Sequence, residues 1–574
     1  MLETRLLSSL AKIFPDEISG ESLPQTLAMR NEPLSFQIAY RSSRLDRKDL
    51  PFYIQIESDL DLKNLASYKE GYVPVVHAAT LEPDDYYDRT RPGLYPDPLF
   101  LRNSEITVAD DGFWSPRFFE QNEKNILSTA VSDSYQALWF TVNEDGKELP
   151  EGGHFVKVVF HRASDGEVLS TVEYRFTIIG TDLHEQDLEY TSWFYADCLA
   201  DTYGVEVFSH RHFEIMKSFI AAAARTGMTM LLLPAFTPPL DTPVGRERRT
   251  VQLVRVTKTD DKYSFDFTLM KRYMEMCREC GISHFEHSHL YTQWGARHAP
   301  KIIATVDGAE RQIFGWDTDS AGREYCDFLK AYLCSLKSFL EENHIDKGDV
   351  LFHISDEPMK EHLAYYAKAV ETVRSQIRGF RCGDALSHYE FYEKGYVEMP
   401  IVVHASEEMD KIMENCDKFW VYYTGLQATG GFSNRLLATT SARNRILGIQ
   451  MYVAGAKGFL HWGYNYYYGE LSHGLFNPFS DPCGSSKMAG TSYLVYPGTD
   501  GTAVISLRMK VLHEAFIDYR ALQTLEGFIG REKVLAYLEQ NFGKIAFSTC
   551  FSGKRLLEIR EAINRKILEC MSAE

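Results

Sequence analysis

The chain has 574 residues, and single hydrophobic cores stop growing at roughly 250–300 residues, so two large units, or two and an extension, are expected. Hydrophobic residues make up 44% and charged residues 25%, an ordinary balance for a soluble globular protein. The formal net charge of -19 argues against a nucleic-acid surface, which needs a basic stripe.

The first fifteen residues lack a sustained apolar core and a small-residue cleavage site, so no signal peptide is read. From there to about 185 the pattern is that of strands. Leu34–Tyr40, Tyr53–Glu57, Ala137–Val142, His154–Phe160 and Thr171–Ile178 alternate apolar and polar residues. Turn chemistry such as Asn143–Gly146 and Ser164–Gly166 separates them. Period-two strands with such turns predict a β-sandwich over 1–185, more suited to bracing a catalytic unit than to binding sugar.

From about 190 the rhythm becomes strand, loop, helix. Strands are predicted at Thr191–Ala196, Thr229–Leu233, Ile282–Glu286, Val350–Ile354, Arg381–Asp384, Ile401–Val403, Phe419–Tyr423 and Gly458–Trp462. Helices are predicted over 210–226, up to Cys280, and over 320–343, 361–377, 407–415, 435–455 and 505–523. A hairpin is expected from Val251 to Phe267, and Arg246–Arg249 reads as a solvated loop. Eight such units in an α/β chain predict a closed (β/α)8 TIM barrel over 186–524. The competing open doubly wound sheet usually carries a Gly-rich phosphate turn, and the chain has no G-x-G-x-x-G or Walker pattern. Residues 525–574 look helical and charged, a C-terminal helical extension.

The ten cysteines avoid the first third of the chain and fall mostly in apolar or helical patterns. That is reduced cytosolic usage, and no disulfide framework is expected. No run approaches the ~18 apolar residues that a membrane span needs. A cytoplasmic protein without a cofactor is expected, with a small-molecule or oligosaccharide substrate, no nucleic acid and no membrane. Homo-oligomerisation stays open.

Barrel active sites lie at the C-terminal ends of the strands. Those ends carry Asp197, then His289 and Trp294, then Asp356 and Glu357, then Asp384, Tyr422 and Tyr423, and lastly Trp462, Tyr464 and Asn465. Carboxylates, amides and aromatic rings therefore converge on one rim, the lining a sugar pocket requires. The 13% aromatic content fits sugar stacking, but large aromatic cores explain it as well. Glu286, His287 and Asp197 could join His289 at a metal, but hydrogen-bonding rim residues are the commoner use of such histidines.

Asp356-Glu357-Pro358 is the sharpest feature of the rim. Adjacent strand residues point to opposite faces, so both acids reach one pocket only where the backbone turns. Pro358 disfavours the α region for Glu357. One ionised carboxyl raises the pKa of the other, so a protonated Glu357 beside an ionised Asp356 could serve as a general acid. Alone, the tripeptide fits a helix N-terminus with stabilising acids equally well. Many retaining barrel glycosidases place their acid after strand four and a nucleophilic carboxylate after strand seven, the two ~5 Å apart. Here strand seven ends in two tyrosines. Attack by a 2-acetamido group of the substrate itself would avoid the need for an enzyme nucleophile. Asp356 would orient that group, Tyr422 or Tyr423 would hold its oxygen, and Trp462 would wall its methyl.

Residues 130 to 525 resemble glycoside hydrolase family 123 and its wider relatives. The resemblance rests on Ile354–Pro358, Phe419–Gly425, Gly458–Asn465, Leu494–Gly498 and Ser506–Tyr519 in that order. It implies a sandwich followed by a barrel, and retaining β-N-acetylgalactosaminidase activity, with the family's Asp-Glu pair falling on Asp356 and Glu357. Long loops at His287–Trp294 and from Trp462 to Asp481 depart from the family pattern and leave the sugar open, since such loops set substrate choice. The alternatives are a glycosidase of other specificity with two-carboxylate chemistry, partnered by Asp197 or Asp384, and a non-catalytic carbohydrate-binding protein.

Overall fold

The computed structural model describes residues 2–42, 52–101, 126–128, 134–162, 165–293, 295–484 and 488–572. Two antiparallel sheets form the N-terminal region, with one short parallel pairing between Leu27–Met29 and Val168–Ile179. Their inward faces follow the period-two pattern: Phe36, Ile38 and Tyr40 from one strand meet Phe140, Val156, Val158 and Tyr174 in a shared core. The five strands expected from alternation are present, each extended by a few residues. Leu2–Ser8, Leu65–Val75 and Gly93–Leu101 are further strands. Two short late strands complete the larger sheet: Ala503–Ser506 pairs onto Gly93–Leu101, and Val495–Pro497 pairs onto Ala503–Ser506.

Eight parallel strands build the barrel: β1 (Glu189–Ser192), β2 (Met230–Leu233), β3 (His284–His287), β4 (Val350–Phe352), β5 (Arg381–Leu386), β6 (Met399–Val403), β7 (Trp420–Tyr422) and β8 (Gly458–His461). Seven neighbouring pairs are laddered, including β1 with β8. Between β1 and β2 the ring is closed at Thr229: its N–H donates to the Tyr190 carbonyl at 3.0 Å, and its hydroxyl accepts the Tyr190 N–H at 2.9 Å. The strands are almost wholly buried and rich in Val, Ile, Leu and Phe, as two-sided burial requires.

The expected helices are present, one of them altered, and two short ones were not expected: Ala196–Thr202, which takes over the end of the strand expected at Thr191–Ala196, and Glu390–Glu393. The helix expected over 435–455 begins only at Ser441 and is split into Ser441–Arg445 and Leu447–Ala454. The expected hairpin is Arg255–Thr259 with Lys262–Asp266, and a second one, Ile302–Val306 with Ala309–Phe314, joins it in a four-stranded sheet. The last barrel helix, Leu507–Ile529, runs across position 524, and Arg531–Phe542 and Gly553–Met571 follow it. Arg560 of the final helix is buried against Asp518 at 3.1 Å and Glu32 at 2.8 Å, which ties barrel, C-terminal helices and N-terminal region together.

Candidate active site

β4 ends at Phe352, but the chain stays extended in place through Ser355 because both sides hold it. On one side Leu290 N–H donates to the His353 carbonyl at 3.2 Å and Tyr291 N–H to the Ile354 carbonyl at 2.9 Å. On the other, Asp384 of β5 accepts the Ile354 N–H at 2.9 Å and the Ser355 N–H at 3.3 Å. The Ser355 hydroxyl donates to the Thr292 carbonyl at 2.8 Å. Asp356 and Glu357 follow directly, both half-buried.

The turn that brings two adjacent acids to the barrel mouth is made at Glu357, whose φ is +43°. Pro358 keeps Glu357 out of the right-handed helical region, and the residue takes the left-handed half of backbone space. Such a conformation costs roughly 1–3 kcal/mol for a non-glycine residue and clusters at functional sites. From the end of β7 the Tyr422 hydroxyl donates to Glu357 Oε1 at 2.6 Å. Burial, and then the Glu357 charge, hold the Tyr422 pKa well above its ordinary value, so it remains a donor. Burial, and then the neighbouring Glu357 charge, also push Asp356 well above the usual carboxylate range.

Beneath the pair lies a buried polar row. His353 Nε2 is 2.9 Å from Glu286 Oε2, and His353 Nδ1 is 3.4 Å from Asp384 Oδ1. Trp193 Nε1 donates to the same Glu286 oxygen at 2.9 Å, and the Tyr366 hydroxyl donates to Asp384. Burial by itself would lower the His353 pKa, but its contacts with Asp384 and Glu286 outweigh this and raise it to about 10. His289 stacks on His353 with ring centroids 4.7 Å apart and is buried, with neither ring nitrogen bonded among the described residues. Burial and the His353 charge keep it neutral.

Several expected sugar contacts have other partners. Asp384 spends its oxygens on the backbone of 354–355, on Tyr366 and on His353, so it supports the turn from below. Asp197 is buried 3.0 Å from Arg248 Nε, and Arg248 in turn lies over the Tyr195 and Tyr466 rings. Arg248, expected in a solvated loop, is thus interior because Asp197 compensates its charge. Tyr464 is buried and donates to the Phe219 carbonyl at 2.8 Å. Asn465 is buried too, and both ends of its amide bond the Tyr195 backbone, at 2.8 and 3.1 Å. These two tie the loop after β8 to the end of β1 and the neighbouring helix. Tyr423 points away from Tyr422, as strand alternation demands, and packs among His404, Phe459 and His461. Trp462 is half-buried beside Tyr466 with centroids 5.4 Å apart. Trp294 lies outside the described residues.

His287 turns to Tyr332, 2.7 Å from its hydroxyl, and so diverges from His289. No group of three or more His, Cys, Asp or Glu side chains arranged to hold a metal occurs among the described residues.

The model of the glycoside hydrolase 123 catalytic domain matches residues 193–525, more than half of the chain. The chain belongs to glycoside hydrolase family 123. Its fold is similar to that of a family 123 glycoside hydrolase from Clostridium perfringens, studied for glycolipid glycan hydrolysis, with a TM-score of 0.70. That likeness covers 100% of this chain and 98% of the other at 13% identity, and shows a shared architecture from end to end. An endo-1,4-β-D-xylanase of Clostridium thermocellum overlaps 89% of this chain and 94% of its own at 9% identity, with a TM-score of only 0.31. No curated protein matches in sequence. A glycoside hydrolase acts on carbohydrate, and barrel enzymes carry their active sites at the C-terminal ends of the strands, which is where the turn at Asp356 and Glu357 lies. Sequence reasoning missed the supporting roles of Glu286, His353 and Tyr366. The available signal was a Glu within β3 and a His directly after the apolar strand Val350–Phe352.

Proposed function

We propose that this family 123 enzyme cleaves terminal β-linked N-acetylhexosamine with retention and by substrate assistance, N-acetylgalactosamine being favoured. The observation that carries this reading is the hydrogen bond from Tyr422 to Glu357. A phenol, not a carboxylate, comes from the end of β7 to meet the acid. The other two candidate carboxylates, Asp197 and Asp384, are already engaged. A nucleophile supplied by the substrate answers that arrangement.

In the first step the acetamido oxygen bonds to the anomeric carbon and the glycosidic bond breaks. The leaving oxygen takes the Glu357 proton, and an oxazolinium ion results. Asp356 accepts the acetamido N–H, which favours its ionised form. Glu357 carries the proton that the leaving oxygen needs. In the second step water adds to the anomeric carbon, Glu357 takes the water proton, and the acetamido group re-forms. Tyr422 steadies Glu357 throughout, and the half-buried Trp462 offers an apolar wall.

The ten cysteines are free. That fits a reducing compartment, and cytoplasmic action on small released glycans is the setting we infer. Among the described residues no helix is long and apolar enough to cross a membrane.

Asp356→Asn tests the assignment. Turnover of an aryl 2-acetamido glycoside should fall about hundredfold or more, the scale for losing one charge-stabilising contact in a transition state. Near-normal turnover in that variant would contradict it.

A further inference from the structure

The buried row under the pair does more than fill space. Glu286, His353 and Asp384 are each at most 1% exposed, and they come from three successive barrel strands or their ends. Two carboxylates in such a place need a cation between them, because an uncompensated buried charge is strongly unfavourable. His353 is placed to supply it: its Nε2 is hydrogen-bonded to Glu286 at 2.9 Å, and its Nδ1 lies within ion-pair reach of Asp384 at 3.4 Å. One of those carboxylates, Asp384, also carries the backbone N–H groups of residues 354 and 355, directly before the acids. The geometry of the turn therefore hangs on a carboxylate that the imidazole anchors.

We propose that His353 is a positioning residue for Asp356 and Glu357. Bridged between Glu286 and Asp384, it fixes the carboxylate that holds the turn and sets a compensating charge beneath Asp356. This rests on the assignment of the pair as the reacting groups.

The groups that face His353 are Glu286, His287 and His289 of β3 and its loop, Asp384 of β5, Asp356 of its own segment, and Trp193 edge-on from β1 at 6.3 Å. Tyr366, from the helix after β4, reaches it through Asp384. His287 and His289 are held neutral, chiefly by burial. The His353 charge opposes the upward push that burial and Glu357 exert on Asp356. Asp356 must ionise to accept an acetamido N–H, so activity should rise with pH along a limb that Asp356 governs. Without the His353 charge that limb moves to higher pH. A merely structural histidine would lower stability or kcat and leave the limb where it was.

The test is the pH dependence of kcat/KM on an aryl 2-acetamido-β-galactoside for the wild type, His353→Gln and Glu286→Gln. An NMR titration of 13C-labelled histidine accompanies it. His353→Gln should shift the acid limb upward by about one unit or more, the scale of one nearby opposite charge. In the wild type the His353 ring signal should stay constant across the interval in which an ordinary histidine titrates, about pH 5–8. Glu286→Gln keeps the volume and an acceptor for Nε2 and removes one charge, so the His353 titration should move downward. If His353→Gln does not fold, the Glu286→Gln protein and the titration decide. A wild-type His353 that titrates inside the ordinary interval would overturn the proposal, as would a limb unmoved in folded His353→Gln. Full activity of Asp356→Asn would instead overturn the reading of the pair, because the NMR result does not depend on turnover.

Discussion

Glu357 combines three features that seldom meet on one side chain: a left-handed backbone, a carboxyl neighbour and a phenol donor. The proposed role of Glu357 as proton donor predicts a leaving-group dependence. Glu357→Gln should lose about 10²–10⁴-fold in turnover of alkyl or phenyl glycosides, the usual range for general acid catalysis. It should lose far less with a dinitrophenol leaving group, which departs without a proton. Equal losses with both substrates would remove Glu357 as the acid. At this scale the sequence was informative about the acids and poor about their surroundings. Asp356-Glu357-Pro358 was legible because adjacent acids before a proline imply a turn. Asp384 and Asp197 were read as sugar contacts, because a strand-end position does not reveal that Ile354, Tyr366 and His353, or Arg248, already occupy a carboxylate. Tyr464 and Asn465 have partners that the sequence hides for the same reason. Their partners, Phe219 and Tyr195, lie more than two hundred residues away.

At the scale of elements, close approach of helices sets the barrel's outer wall. Gly448, in the helix Leu447–Ala454, packs against the helix Leu507–Ile529 so tightly that an added Cβ would stand 1.7 Å from the Ala515 carbonyl oxygen. Gly448→Ala must push these helices apart. Overpacking of this kind costs typically about 1–3 kcal/mol, so scanning calorimetry should show a Tm lower by several degrees. An unchanged Tm would mean that the two helices are not held at this distance. Element placement was the most legible layer of the sequence, since most of the barrel strands announced themselves by short apolar runs between turn residues, whereas the third and fifth, His284–His287 and Arg381–Leu386, are polar and showed chiefly by their place in the strand–helix rhythm. The late strands Val495–Pro497 and Ala503–Ser506 were hidden because three or four residues show no period. The strand on which they build, Gly93–Leu101, breaks alternation with Pro96 and Pro98.

The whole molecule is stitched by buried charge as well as by its apolar core. The histidines His212, His287 and His404 are buried, and burial lowers each pKa to about 4. An unfolded histidine titrates near about 6.5. The stability these three contribute is present above that value and is lost as pH falls through about 4. His353 has the opposite sign: raised to about 10, its contribution is complete below about 6.5 and is lost as pH rises through the folded value. The Tm should therefore peak near neutrality and fall on both sides, with His353→Gln flattening the alkaline fall. A Tm that climbs steadily from neutral to alkaline pH would contradict the buried imidazolium.

The central claim is that the substrate's own acetamido group replaces an enzyme nucleophile at a mouth where Tyr422 meets Glu357. The most direct test is to assay four aryl β-glycosides side by side: N-acetylgalactosaminide, N-acetylglucosaminide, galactoside and glucoside. Cleavage of the two acetamido sugars, the galacto form fastest, with no appreciable cleavage of the 2-hydroxy sugars is the predicted result. Comparable rates on galactoside and N-acetylgalactosaminide would contradict it.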